Sequence, residues 1–219
     1  MVKSAPTEPP RAPETRDEAV VRPLRFADDD QAFVEALKAG HQDAFAALYD
    51  RYADHVHRVL VRILGFDHEI GDLLQEVFMQ ALGSIGSLRE ADRLKAWLTR
   101  IAVFTARGCI RRRTRRRWLR IAPPETLPEQ VAPTADDETR EALRLTYEVL
   151  ELLPTVERIA FSLRFIEGLE LTEVAAACDV SLATIKRKLT KAERRFVALA
   201  GRRGPLAGWL EQSARWRDR

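Results

Sequence analysis

Between residues 45 and 63 the apolar side chains Phe45, Leu48, Tyr49, Tyr52, Val56, Leu60 and Ile63 recur every three or four positions. That period places them on one face of a helix, and no strand pairing can bury such a set, because a strand sends alternate residues to opposite sides. The helix is predicted over 42–64, ended by Gly65. The same rule predicts a short helix over 29–39, opened by the acidic run Asp28 to Asp30 and closed by Gly40. It predicts a third over 67–82, burying Ile70, Leu73, Leu74, Val77, Phe78 and Ala81, with Asp72, Gln75 and Glu76 on its opposite face. After a stretch from Gly83 to Gly86 that reads as flexible, a fourth helix from Asp92 buries Leu94, Trp97, Leu98, Ile101 and Thr105. No convincing alternating run occurs anywhere, so the fold class is all-α.

Proline marks the boundaries. Of 11 prolines, most fall before residue 28 or between Pro123 and Pro133, in segments otherwise rich in Glu, Ala and Thr. The chain therefore divides into an N-terminal arm (1–27), a helical domain (28–118), a flexible linker (119–138), a second helical domain (139–200) and a basic tail (201–219). In the second domain, Leu143, Leu145, Val149, Leu150 and Leu153 predict a short helix stopped by Pro154, and the next helix runs from Thr155 to Gly168. Glu170 to Leu189 then reads as a helix with small residues at Ala175 and Ala176, a tight turn around Cys178 to Val180, and a helix capped by Ser181. Val174, Val180, Ile185 and Leu189 supply the wedge between them. This is helix-turn-helix spacing.

Charge is nearly balanced, 36 Lys and Arg against 33 Asp and Glu, but it is not evenly spread. Arg111, Arg112, Arg113, Arg115, Arg116, Arg117 and Arg120 form a block without an acid, carried on the end of the fourth helix. Seven like charges repel one another, and the helix dipole rewards only those in the last turn, so the block is expected to seek a polyanion. On the second helix of the helix-turn-helix, Lys186, Arg187, Lys188, Lys191, Arg194 and Arg195 stand against Glu193 alone. A cationic helix docked by an apolar stripe suits the DNA major groove.

Enzymatic chemistry finds no constellation. The glycine-rich run at Gly83 lacks the lysine of a phosphate loop. His55 and His57 point to different faces of one helix, and they, like His41 and His68, read as surface side chains rather than metal ligands. No metal site and no cofactor are expected. The two cysteines, Cys109 and Cys178, match no zinc spacing and argue for a reduced cytoplasmic compartment. No apolar run reaches membrane-spanning length, and residues 1–30 hold no signal-type stretch.

Across roughly 31–197 the chain resembles the extracytoplasmic-function (ECF) sigma factors, which direct RNA polymerase to promoters. Asp-Leu-Leu-Gln-Glu-Val-Phe (72–78) is similar to the signature that docks on the β′ clamp helices. The run from Leu94 to Ala102 resembles the start of the −10-reading helix, and Leu153-Pro, Arg164 to Leu169 and the helix-turn-helix resemble the −35-reading module. The resemblance implies that Asp72, Gln75 and Glu76 face polymerase, a face that spacing alone reads as merely solvated. It implies that Trp97, Arg100, Phe104, Arg107, Arg111, Arg112 and Arg113 lie near −10 DNA, and that Ser181, Thr184, Lys186, Arg187, Lys188 and Lys191 engage the −35 element. Trp97 and Phe104 are each expected in the core, with stacking on unpaired bases the alternative. Implied partners are the polymerase core through the β′ clamp helices and β flap, promoter DNA, and an anti-sigma factor, without insertion of this chain into a membrane. The chain departs from the family pattern at Gly71, at Phe104, where asparagine is frequent, and at Asp179, where the turn usually has glycine. Asp tolerates the left-handed conformation, so the turn is expected to survive.

A linker of some 20 residues, extended, spans about 66 to 72 Å. The family's two promoter elements lie nearly two duplex turns apart, about 70 Å. One tether therefore lets both modules engage at once. Two other readings remain open: a stand-alone regulator that binds duplex DNA without polymerase, and an inhibitory module that sequesters polymerase. The tail residues Leu206, Trp209, Leu210 and Trp216 form an amphipathic pattern that packs on the second domain or meets a regulator.

Overall fold

A computed structural model describes residues 30–119 and 137–212. The arm, the middle of the linker with Arg120, and the far tail with Trp216 lie outside the described residues. In chain order the helices are α1 (Asp30–Lys38), α2 (Gln42–Leu64), α3 (Ile70–Ser84), α4 (Leu94–Trp118), α5 (Asp137–Glu151), α6 (Thr155–Phe161), α7 (Leu171–Cys178), α8 (Leu182–Ala200) and α9 (Gly204–Gln212). A single wide turn of π-helix, Ser162–Ile166, continues α6. No strand occurs among the described residues.

The long helix has the predicted ends. Gly65 sits at φ 86°, a conformation open to glycine and costly for most other residues, and its N–H reaches back to the Val61 carbonyl. α3 begins later than expected, because Asp67 closes a turn by accepting from the Glu69 amide at 2.7 Å. The run from Gly83 to Gly86 is helical rather than flexible. α3 extends through Ser84 and a short tight helix follows, because Ile85 and Leu88 are both buried and the Leu88 carbonyl accepts from Lys38 Nζ at 2.7 Å.

α1 to α4 share one core. Phe33, Leu37, Leu48, Leu60, Ile63, Leu94 and Leu98 are almost wholly shielded, each contributing roughly 1.5–3 kcal/mol against an exposed position. α5, α6, α8 and α9 enclose a second core around Leu150, Phe161 and Phe196, with Phe161 and Phe196 stacked at 4.6 Å between ring centroids. Leu206 of α9 joins this core, so the start of the tail packs back on the second half.

The two halves are in contact. α4 packs against α7 and α6 as well as against α2 and α3. The first core runs without a break into Ile159, Leu163, Val174 and Cys178. Ala102 and Ala106 of α4 and Ala175 and Ala177 of α7 are all buried at or near this boundary, and small side chains let helix axes approach closely. Polar groups cross it too. Tyr147 Oη donates to the Val61 carbonyl at 3.0 Å, and the buried Arg158 donates to the carbonyls of Ile63 and Leu64 at 2.9 and 3.1 Å. Burial lowers the Arg158 pKa to about 10. The guanidinium stays charged and satisfies carbonyls at the C-terminal end of α2, which the helix itself leaves open.

Candidate nucleic-acid interface

α4 carries Trp97, Arg100, Phe104, Arg107 and Arg111 at spacings of three and four, which puts them along one stripe. Trp97 is half-buried against the core, as expected. Phe104 is not in the core: it is 66% exposed, between Arg100 one turn before it and Arg107 one turn after. The neighbouring positions Ala102, Val103, Thr105 and Ala106 fill the buried face and leave residue 104 outside. An exposed aromatic side chain with an arginine one helical turn to either side has the composition of a single-strand stacking platform.

The arginine block does not present a uniform face. Arg111 and Arg115 are exposed. Arg112 lies 4.0 Å from Glu76 and is half exposed. Arg113, expected near −10 DNA, turns inward instead: only 11% exposed, it pairs with Asp67 and Glu69, each at 2.7 Å. Burial raises the pKa of Glu69, but the hydrogen bond and charge of Arg113, the Cys109 thiol and Arg116 outweigh it and hold the carboxyl below its usual range. Arg113 therefore fixes the loop before α3 to α4. Cys109, beside it, is pushed up by burial to about 11 and stays a thiol.

On α3, Asp72 and Gln75 are exposed and Glu76 is partly so, holding Gln80 Nε2 at 3.0 Å. The exposed Met79 extends this face by one turn. The Arg112 contact to Glu76 brings the acidic face of α3 alongside the cationic end of α4.

In the second half, the turn between α7 and α8 has the helix-turn-helix form. Asp179 takes the left-handed conformation at φ 58°, ψ 49°, and its amide and that of Val180 close back on Ala176 and Ala175. Ser181 caps α8 by accepting from the Thr184 amide at 3.2 Å, and its hydroxyl donates to Thr184 Oγ1 at 2.9 Å. Lys186, Arg187 and Lys191 are exposed. Lys188 is drawn aside to Glu157 of α6 at 3.6 Å, and Arg195 makes a close ion pair with the same carboxylate, which is nearly fully buried. The sequence offers no sign of this role for Glu157, whose partners lie more than 30 residues away.

Arg100 and Arg107 are also occupied. Arg100 Nη2 donates to Asp179 Oδ1 at 3.1 Å, and Arg107 Nη2 donates to the Cys178 carbonyl at 2.8 Å. The α4 stripe of the first half thus meets the turn of the second. His55, expected at the surface, is buried with Nε2 at 2.8 Å from Thr99 Oγ1; burial, then Lys95 and Arg58, lowers its pKa and favours the neutral ring. No cluster able to hold a metal and no helix able to cross a membrane occurs among the described residues.

The family description Sigma-70 region 2 matches residues 48–118, and Sigma-70, region 4 matches residues 143–196. The chain is 30% identical over 177 residues to the ECF RNA polymerase sigma-E factor of Haemophilus influenzae, covering 74% of this chain and 90% of that one. It is 28% identical over 165 residues to the ECF RNA polymerase sigma factor SigW of Bacillus subtilis, covering 71% and 88%. Two solved structures share its fold at a TM-score of 0.56. They are CnrH in complex with the cytosolic domain of CnrY, 21% identical over 80% of this chain and 99% of that one, and the sigma factor RpoE of Bartonella quintana in complex with the anti-sigma factor NepR, 22% identical over 71% and 95%.

Proposed function

The chain belongs to the sigma-70 family as an ECF sigma factor of RNA polymerase, and we propose that it divides promoter recognition between two separable halves, 28–118 and 139–200, strung on the linker 119–138. The observation that carries this reading is the back-to-back pair on α3 and α4. An acidic and amide face at Asp72, Gln75 and Glu76 adjoins a stripe of arginines around an exposed phenylalanine, and a capped helix-turn-helix follows in the same chain. The α3 face docks on the polymerase clamp helices. Arg111, Arg112 and Arg115 take phosphates near the −10 element, while Arg100 and Arg107 flank Phe104, on which an unpaired base stacks. In the second half Lys186, Arg187 and Lys191 hold phosphates, Thr184 stands at the N-terminal end of α8 near base edges, and Ser181 serves the helix as its cap. Arg113 and Lys188 hold structure instead.

No bond is made or broken by this chain: it supplies position, and the polymerase supplies the chemistry. It acts in the cytoplasm, where polymerase and promoter are, and an anti-sigma factor restrains it. The solved structures of its fold, described with CnrY and with NepR, support that partner class.

The exposed phosphate-binding set of Arg111, Arg112, Arg115, Lys186, Arg187 and Lys191 predicts a log-log salt slope of about −5 for holoenzyme on a promoter fragment selected from host genomic DNA. Replacing Arg111, Arg112 and Arg115 by alanine is expected to flatten it by about 3. A slope unchanged by that triple substitution contradicts the assignment.

A further inference from the structure

The chain has four sulfur-bearing residues, two cysteines and two methionines, and their surroundings differ. Cys109 and Cys178 are wholly buried, and burial pushes each thiol up to about 11, so neither presents a reactive thiolate to solvent. Met1 lies outside the described residues. Met79 is in the opposite situation: at 69% it is the most exposed large apolar side chain among the described residues. It follows Gln75 and Glu76 by one turn of α3, which sets it on the face assigned to polymerase, and the inference drawn here rests on that assignment. Tyr49 of α2 is also exposed, and its ring lies 4.9 Å from that of Phe78, so an aromatic side chain borders the same end of α3. The face is thus polar at its start and apolar at its end. An apolar anchor with a polar border is the composition of an interface centre, where methionine and aromatic residues are enriched.

We propose that Met79 is an oxidation switch on holoenzyme assembly: it anchors the polymerase-binding face as a thioether, and its conversion to the sulfoxide disables that face in the free chain. The step is an oxygen transfer. A two-electron oxidant such as hypochlorous acid gives its oxygen atom to sulfur. A sulfur–oxygen bond forms as the oxygen–chlorine bond breaks, sulfur loses two electrons, and chloride and a proton leave. The product carries a strong acceptor oxygen where the thioether packed, and burying that oxygen in an interface without a donor is unfavourable. The fold of the free chain is little affected, because the Met79 side chain stands mostly in solvent. Access sets the timing. Met79 is open in the free chain and covered once polymerase is bound, so the oxidant reaches unassembled molecules and spares assembled ones. Methionine sulfoxide reductases return the thioether with electrons from a thiol pair, which makes the loss reversible.

The test treats the full chain with hypochlorous acid, quenches with free methionine, locates the added oxygen by peptide mass spectrometry and titrates the product against labelled core polymerase. Beside the wild type run Met79→Leu, which keeps an apolar side chain without sulfur, and Met79→Gln, which puts a polar amide in its place. Oxidation of the wild type at Met79 is expected to weaken assembly roughly tenfold, the loss on removing one central contact, with an unchanged circular dichroism spectrum. Sulfoxide reductase is expected to restore it. Met79→Gln is expected to show a similar loss without oxidant, and Met79→Leu to bind equally before and after treatment. In wild type preassembled with core polymerase, Met79 is expected to oxidise severalfold more slowly. Unchanged assembly of wild type oxidised at Met79 or of Met79→Gln, a loss the reductase does not reverse, a response retained in Met79→Leu, or equal oxidation of free and assembled chain overturns the proposal. The double lysine variant at Asp72 and Glu76, titrated in parallel, separates the two levels. If it fails to bind while oxidised wild type binds normally, the switch alone is wrong; if both bind normally, the α3 face is not the interface.

Discussion

Replacing Asp72 and Glu76 together by lysine should abolish assembly with core polymerase while leaving the fold in place. Both carboxylates sit on the α3 face that we assign to the clamp helices. Truncating a central interface residue typically costs about 2 kcal/mol, so reversing two such charges should cost about 4 kcal/mol or more, on the order of a thousandfold in affinity. The expected cost to folding is much smaller. Asp72 lies in the first turn of α3, where an acid favours the helix dipole by about 0.3–1 kcal/mol, and the Glu76 contact to Arg112 is long and half exposed. Competition with wild type for core polymerase, alongside circular dichroism, checks this. Retained binding by a folded double variant removes the α3 face from the interface.

Glu157→Ala should cost about 2 kcal/mol in stability of the second half and weaken binding to −35 duplex by roughly tenfold, with little effect on core binding through the first half. The reason is asymmetric burial. Glu157 is nearly fully enclosed, whereas Arg195 is half exposed and Lys188 one-third exposed, so both cations rehydrate in part and the loss stays below the roughly 3–5 kcal/mol of a fully buried pair. Freed from α6, α8 loses the anchor that sets its rotation on the domain. Thermal melting and a −35 duplex titration check the two parts. Normal affinity in a variant that melts early would assign Glu157 to stability alone.

Features that neighbouring residues decide among themselves are legible in the sequence. The ends of α2, the glycine stops, the Ser181 cap and the left-handed Asp179 all follow from local backbone chemistry, and the structure has them in those places. The arginine block shows where that logic ends. All seven arginines look alike in sequence, yet Arg113 is taken by Asp67 and Glu69, more than 40 residues earlier. Phe104 departs from expectation for a related reason: a helix packed against four neighbours has no single apolar stripe, so hydrophobic character does not say which aromatic is covered. The glycine run at the end of α3 reads as loose until Leu88 and Lys38 meet across 50 residues. Contact between the halves is illegible too, since it rests on Arg158 reaching carbonyls of α2 more than 90 residues away.

Promoter-specific initiation is tested most directly by run-off transcription with core polymerase over sheared host DNA, with and without this protein. The predicted result is discrete new transcripts that appear only when the protein is added and vanish with the Asp72 and Glu76 lysine variant. Core enzyme whose products are the same in its presence and absence would contradict it.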